Sequence, residues 1–447
     1  TYTSEIYDTL MVLMAAVSLE ETEKEAALLV GVDTGEDADF ERSMEELGSL
    51  AEACNMRVAG VITQKLSMIN KAFYIGTGKI DEVREFAQDI DADIIVFDNA
   101  LSPSQLRNLQ KELQKPVLDR TTLILDIFST RAQTREAKLQ VETARLQYLL
   151  PRLVGMREAL SRQGGASGSM SNKGAGEKKL ELDRRRIEHR LSELNKELEE
   201  VSKERATQRK RRQSSRIPKV SLVGYTNAGK STIMNRMVEQ YLGDEEKKVL
   251  EKDMLFATLE TTVRKIETGN NRDFLLSDTV GFIHKLPHGL IKAFRSTLEE
   301  VKNADLLLHV VDYSDENYRQ QMEVTEETLR ELEAGDIPVL CVFNKVDKCG
   351  DGGYKGNGAD NRIYMSAKNS ADIEELAALI TKNLYAGQKS AEFLIPYDKG
   401  QIVSYLIDNT AVELQEYRED GVYLRVRCSA ADYGKYKEYD CHMSSGE

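Results

Sequence analysis

The 447-residue sequence is poor in cysteine, and its five, Cys54, Cys341, Cys349, Cys428 and Cys441, stand apart without paired or metal-ligand spacing. That pattern excludes a disulfide framework and fits a reduced, cytoplasmic compartment. Uninterrupted apolar runs are missing too: none approaches the ~20 residues needed to cross a bilayer, so integral membrane association is not expected. The opening stretch TYTSEIYDTLMVLMAAVSLEETEKE carries a short apolar patch but no basic segment before it, and acids follow at once. A secretory signal is therefore not expected. Excess positive charge is also absent. The net charge of -14 argues against a generic nucleic-acid coat, and DNA is not an expected partner. What remains is ordinary for a globular protein, with 41% hydrophobic and 30% charged residues and length enough for two or three domains.

The chain changes character along its length. Residues 1–130 alternate apolar strand-like runs (Ala27–Val32, Ala92–Phe97) with helical stretches, which predicts an α/β domain with a largely parallel sheet. Residues 131–216 hold two long helical patterns, about 136–159 and 177–212, joined by the Gly-rich SRQGGASGSMSNKGAG. Leu180, Ile187, Leu194 and Val201 recur every seven residues, with Leu182 and Leu191 beside them; Leu139, Leu146, Leu149, Leu150 and Leu153 supply a facing stripe. The pattern predicts an antiparallel helical hairpin. Its second helix holds 13 Lys and Arg against 9 acids over 177–213 and ends in Arg209-Lys210-Arg211-Arg212. Such a run is either a solvated face or a surface that meets phosphates.

Residues 217–388 carry the chemistry. After the apolar Val220–Val223 come Gly224-Tyr225-Thr226-Asn227-Ala228-Gly229-Lys230-Ser231-Thr232, which fit G-x-x-x-x-G-K-S, the phosphate-binding P-loop. The glycines let successive N–H groups face one anion, Lys230 reaches the β- and γ-phosphates, and the Ser231 hydroxyl suits Mg²⁺. A second strand ends in Asp278-Thr279-Val280-Gly281. Asp278 can hold Mg²⁺ through water, and the Gly281 N–H can approach the γ-phosphate. The third signal is Asn344-Lys345-Val346-Asp347 at the end of Leu340–Phe343. An Asp347 carboxylate accepts guanine's ring N–H and exocyclic amine together, an edge adenine lacks. Asn344 can brace the P-loop, the Lys345 stem can cover the ring, and Ser366-Ala367-Lys368 offers a backbone N–H to the guanine oxygen. Four motifs in this order predict GTP binding, with GDP as product. Between the first two lies Phe256-Ala257-Thr258-Leu259-Glu260, where Thr258, Thr261 and Thr262 all compete to order around the γ-phosphate and metal.

These segments resemble the HflX family of translation-factor-related GTPases. The resemblance rests on GYTNAGKST, FATLE, DTVGFIHKLPHGLIKAFRSTLEE, NKVD and SAK, and on GTGK (76–79), DRTTLILDIF (119–128), AQTREAKLQVETARLQYLLPRL (132–153) and GAGEKKLELDRR (174–185). It covers nearly the whole chain up to about 390. It implies a GTPase that associates with the large ribosomal subunit, its RNA and protein, and helps split or recycle stalled ribosomes. It also selects Thr258 as the metal-facing hydroxyl, so that Lys230, Thr258 and Gly281 form the catalytic set, with Ser231, Thr258 and Asp278 around Mg²⁺. The chain departs from the family pattern at Gly174-Ala175-Gly176-Glu177 (GPGE in the family), at Glu260-Thr261 after FATL, and in the Gly-rich tip.

Phe282 stands where many GTPases place a water-orienting glutamine. A phenyl ring cannot hydrogen-bond water, so intrinsic turnover is expected to be slow. Asn227 occupies the loop position where an asparagine helps hold K⁺ in several GTPases lacking that glutamine. Residues 389–447 alternate on both sides of Glu419-Asp420-Gly421, predicting a β-hairpin or two adjacent strands in a small α+β domain. The overall expectation is a monomeric α/β P-loop GTPase with a mixed, mostly parallel sheet. An N-terminal α/β domain, a helical hairpin and a C-terminal appendage complete it. The competing expectation is a guanine-nucleotide-dependent RNA- or protein-binding module whose hydrolysis is incidental.

Overall fold

The computed structural model describes residues 24–35, 39–162, 170–213, 217–242, 255–256, 259, 261–269, 272–286, 300–349 and 361–442, with backbone alone for 153–162, 170–180 and 204–213. The chain divides into two compact units. The first comprises Thr1–Arg209 with Met254–Leu259 and His284–Arg295; the second comprises Lys210–Asp253, Glu260–Ile283 and Ser296–Glu447.

In the first unit, β1 (Ala26–Asp33), β2 (Arg57–Lys65), β3 (Ile94–Phe97) and β4 (Val117–Asp119) form an all-parallel sheet in the order β2-β1-β3-β4. The expected parallel sheet is present. β1 and β3 are buried on both faces, which is why they read as continuous apolar runs rather than alternating ones. Helices α1 (Phe40–Ala53), α2 (Thr77–Asp89) and α3 (Pro103–Leu113) connect the strands. The start of α3 is fixed locally: Ser102 and Gln105 make a reciprocal capping box, with Pro103 at the first helical position. After α4 (Arg120–Arg131) come the long α5 (Arg135–Arg162) and α6 (Met170–Gln213). Leu139, Leu146, Leu191 and Leu194 form their shared core, flanked by Leu150, Ile187, Leu198 and Val201. Leu182 is 54% exposed and takes no part. The Gly-rich tip lies outside the described residues, as do the side chains of Leu153, Leu180 and Arg209–Arg212. Two short returns complete this unit. The Phe256 ring meets Phe128 edge-on at 4.7 Å. Lys285, at φ 57°, donates to Asp98 at 2.6 Å and to the Ser43 hydroxyl at 2.9 Å.

The second unit contains a six-stranded sheet of β5 (Lys219–Gly224), β6 (Thr262–Ile266), β7 (Phe274–Asp278), β8 (Leu306–Asp312), β9 (Val339–Asn344) and β10 (Arg362–Tyr364), ordered β10-β9-β8-β5-β7-β6. Only β6, at the edge, runs antiparallel to its neighbour, giving the expected mixed, mostly parallel sheet. Helices α7 (Lys230–Leu242), α8 (Tyr318–Glu331) and α9 (Ser370–Leu384) accompany it, and α7 and α9 share its largest core with the sheet. The central strands β5, β8 and β9 end on one side, at Gly224, Asp312 and Asn344, where ligands of open parallel sheets bind. Residues 389–442 add β11 (Lys389–Ile395), α10 (Gly400–Asn409), β12 (Ala411–Arg418), β13 (Gly421–Cys428) and α11 (Ala430–Tyr436). The predicted hairpin is β12–β13, turning at Glu419-Asp420, and Gly421 adopts φ 152° with its Cα packed on the Ile395 carbonyl. Among the described residues no helix is long and apolar enough to cross a membrane.

Candidate functional site

The P-loop joins β5 to α7. Its two glycines are there for close approach rather than flexibility alone. A Cβ on Gly224 (φ 143°) would sit 2.2 Å from the Val310 carbonyl oxygen, and one on Gly229 (φ 98°) 2.2 Å from Asn344 Nδ2. Asn227 holds φ 59°, a left-handed backbone that asparagine tolerates better than most residues. The Thr226 N–H donates to the Phe282 carbonyl at 2.8 Å, and the Phe282 N–H donates to the Gly224 carbonyl at 3.1 Å. This clips the P-loop to the chain after Asp278–Gly281. A Cβ on Gly281 would meet Thr226 Cα at 2.8 Å and Lys230 Nζ at 3.0 Å, so this position also has no room for a side chain.

Lys230 is buried and donates to the carbonyls of Gly224 (3.0 Å) and Tyr225 (2.7 Å). Burial lowers its pKa to about 8; Asp278 opposes that shift and Lys345 adds to it. An ammonium held this way loses hydration and gains much from an arriving polyphosphate. The Ser231 hydroxyl donates to Asp278 Oδ2 at 2.7 Å. Among the described residues no group of three or more His, Cys, Asp or Glu side chains is arranged to hold a metal ion. One hydroxyl and one carboxylate nevertheless fit Mg²⁺, which takes few protein oxygens and completes its shell with water and substrate phosphates. Thr279 caps β5 by donating to the Leu222 carbonyl at 2.6 Å, Thr232 lies in the first turn of α7, and Val280 is buried.

Facing the P-loop is a second polar corner, built from Asn344, Lys345, Asp347 and Ser366. Asn344 Nδ2 donates to the Ala228 carbonyl, and its Oδ1 accepts the Ala367 N–H, both at 2.9 Å. Lys345 Nζ donates to the Asn227 carbonyl at 2.7 Å. Asp347 accepts from the Ser366 hydroxyl at 2.8 Å and pairs with Lys368 at 3.3 Å. The Ser366 hydrogen bond, more than the Lys368 charge, keeps the Asp347 carboxyl below the usual range and ionised, although burial opposes it. The Val346 N–H is bound to the Met365 carbonyl at 3.3 Å, which ties the two motifs together.

Not every expected residue falls here. Phe256 is a packing residue of the first unit, 2% exposed with its ring against Phe128, and its side chain has no polar atom to offer a nucleotide. Leu259 is buried, and Ala257, Thr258 and Glu260 lie outside the described residues. Two residues not anticipated from sequence do belong to the neighbourhood. Asp372 Oδ2 accepts the Ser366 N–H at 2.8 Å, and Asp312 Oδ2 pairs with Lys345 at 2.7 Å. The signal for Asp312 was a lone acid closing the apolar run Leu306–Val311.

Residues 41–129 match the model for a GTP-binding GTPase N-terminal region, residues 131–212 a GTP-binding GTPase middle region, and residues 219–345 a 50S ribosome-binding GTPase. The chain is 42% identical over 402 residues to the GTPase HflX of Caldanaerobacter subterraneus subsp. tengcongensis, covering 90% of both chains. It is 39% identical over 414 residues to the GTPase HflX of Escherichia coli K12, covering 92% of this chain and 95% of the relative. Among solved structures, a GTP-binding protein from the archaeon Sulfolobus solfataricus in complex with GDP aligns over 80% of this chain and 99% of its own, at 25% identity and a TM-score of 0.42. With such identity along nearly its whole length, the chain belongs to the HflX family of GTPases.

Proposed function

We propose that this GTPase binds the large ribosomal subunit as a monomer in the cytoplasm and promotes the splitting or recycling of stalled ribosomes, hydrolysing GTP to GDP and phosphate. The observation that carries the nucleotide half is the pairing of two preorganised corners. Lys230, Ser231 and Asp278 gather at one end, and Asn344, Asp347 and Ser366 at the other. Support for the ribosomal half comes from the 50S ribosome-binding description of the family model over 219–345 and from the relatives' length-wide identity.

In this reading the N–H groups of Asn227 and of Gly229 to Thr232 would cradle the phosphates, and Lys230 would offset their charge. Ser231 and Asp278 hold Mg²⁺, with Thr258 as the expected third oxygen; the ion would neutralise charge on the β- and γ-phosphates. The Gly281 N–H faces the γ-phosphate. Asp347 would read the guanine N–H edge with Lys345 over the ring, and the Ala367 N–H, held by Asn344 Oδ1 in this structure, would have to turn to meet the guanine oxygen. Phe282 is 2% exposed and its backbone is tied to the P-loop, so its ring leaves the attacking water unoriented. Slow turnover until a partner supplies that orientation follows from this, and K⁺ at the exposed Asn227 is the ion to test for charge compensation.

That same Phe282 also favours a second reading, a nucleotide-dependent binding module with incidental hydrolysis. Sedimentation with purified large subunits separates the two. The first reading expects tighter pelleting with a non-hydrolysable GTP analogue than with GDP. Glutamine at Arg209, Lys210, Arg211 and Arg212 should weaken pelleting and flatten its salt dependence if those side chains meet phosphates. Equal pelleting in both nucleotide states counts against the switch.

A further inference from the structure

We infer that Asp312 is a positioning residue for the nucleotide: it holds the Lys345 ammonium against the Asn227 carbonyl and so locks the base-reading segment onto the P-loop. The inference deepens the nucleotide-site reading above and rests on it.

Asp312 closes β8 and Asn344 closes β9, and the two are register partners in the parallel pair. The residue after Asn344 therefore emerges beside Asp312. Asp312 Oδ2 receives Lys345 Nζ at 2.7 Å, and the same Nζ donates to the Asn227 carbonyl at 2.7 Å. Both side chains are largely shielded, with relative exposures of 16% for Lys345 and 18% for Asp312, so the pair is worth more than a surface ion pair. The carboxylate itself is fixed from behind. Its Oδ1 accepts the Ser314 N–H at 3.1 Å and the Ser314 hydroxyl at 2.5 Å.

The consequence lies in the peptide planes. Lys345 holds the carbonyl of Asn227, and Asn344 holds the next one, that of Ala228. Within a trans peptide the C=O and the following N–H point in opposite directions. Anchoring the Ala228 carbonyl therefore aims the Gly229 N–H to the other side, as a phosphate nest needs, while the Lys345 bond fixes the peptide plane whose Ala228 N–H donates to the Tyr225 carbonyl at 3.4 Å. Both partners also sit in left-handed backbone, Asn227 at φ 59° and Lys345 at φ 65°. Such conformations persist where surrounding contacts over-determine them, and the Asp312–Lys345–Asn227 chain is such a contact. A base-side clamp of this kind does not sense the γ-phosphate, so it should retain GTP and GDP equally.

Release of fluorescent GDP and GTP from the full chain tests this, using Asp312→Ala in the wild-type and Lys345→Met backgrounds. Asp312→Ala should speed release of both nucleotides by roughly ten- to a hundredfold, as expected for a lost hydrogen bond to a charged group. Preference for guanine over xanthine nucleotides should not change. In the Lys345→Met background the same substitution should add nothing, a coupling that a generally destabilised fold would not show. Should Asp312→Ala fail to fold by thermal melting, Asp312→Asn carries the test. Wild-type release from Asp312→Ala, or equal acceleration in both backgrounds, overturns the inference. Lys230→Ala serves as the companion arm: if it too retains nucleotide normally, the site reading itself fails.

Discussion

The Ser231 hydroxyl and the Asp278 carboxylate stand 2.7 Å apart, one from the first turn of α7 and the other from the last residue of β7. Two hard oxygens brought together from different elements predict a specific metal dependence. In Ser231→Ala, affinity for GDP measured with Mg²⁺ should fall about tenfold, close to the value with chelator present. Isothermal titration with and without Mg²⁺ reads this, and a variant that keeps its full Mg²⁺ response would remove Ser231 from the site.

The proposed reader of the base is Asp347, which Ser366 and Lys368 hold ionised. Asp347→Asn exchanges one acceptor oxygen for a donor amide. Preference should then move from GTP toward xanthosine triphosphate, whose C2 carbonyl needs a donor. Competition binding decides it, and undiminished preference for GTP would count against the assignment.

His309 gives the second unit a pH signature. It lies in central β8, 2% exposed and register-paired with Val223 and Cys341. Burial, and secondarily the nearby Lys230 charge, lower its pKa from the ordinary 6.5 to about 4. Between those values the unfolded chain takes up a proton that the folded chain refuses. The contribution is thus complete above about pH 6.5 and is lost as pH falls toward about 4, by at most about 3 kcal/mol. Urea denaturation across that range should show a shallower acid loss in His309→Gln than in the parent. Parallel curves would contradict it.

The helical hairpin makes a packing prediction. Leu194 is fully buried between α5 and α6, whereas Leu182 is 54% exposed. Leu194→Ala should cost about 2–4 kcal/mol of stability, and Leu182→Ala no more than about 0.5 kcal/mol. Denaturant melts of both variants provide the check, and equal losses would mean that the seam is placed wrongly.

Much of the site was legible because its motifs encode backbone geometry. Gly224, Gly229 and Gly281 occupy places where a Cβ would collide, so the spacing in the sequence is a direct imprint of the fold. The strands were legible as apolar runs, since β1, β5 and β8 are buried on both faces. Partnerships between distant segments were not. Asp312 is a single acid after an apolar run, and only the β8–β9 register brings it to Lys345. Phe256 reads as part of a nucleotide segment, yet a large apolar ring is drawn to the nearest core, here that of Phe128. Of the seven-residue stripe, Ile187, Leu194 and Val201 pack on the seam together with Leu191 beside them, whereas Leu182, five places before Ile187, is turned off that face.

In the proposed function, Phe282 leaves this GTPase slow until the large ribosomal subunit completes its active site. GTP turnover by the purified chain, measured with and without purified large subunits, tests it most directly. Slow turnover is expected for the chain alone, with an increase of at least about tenfold with subunits, as partner-supplied groups give other GTPases. Lys230→Ala should be inactive in both conditions. Turnover that is the same with and without subunits would contradict it.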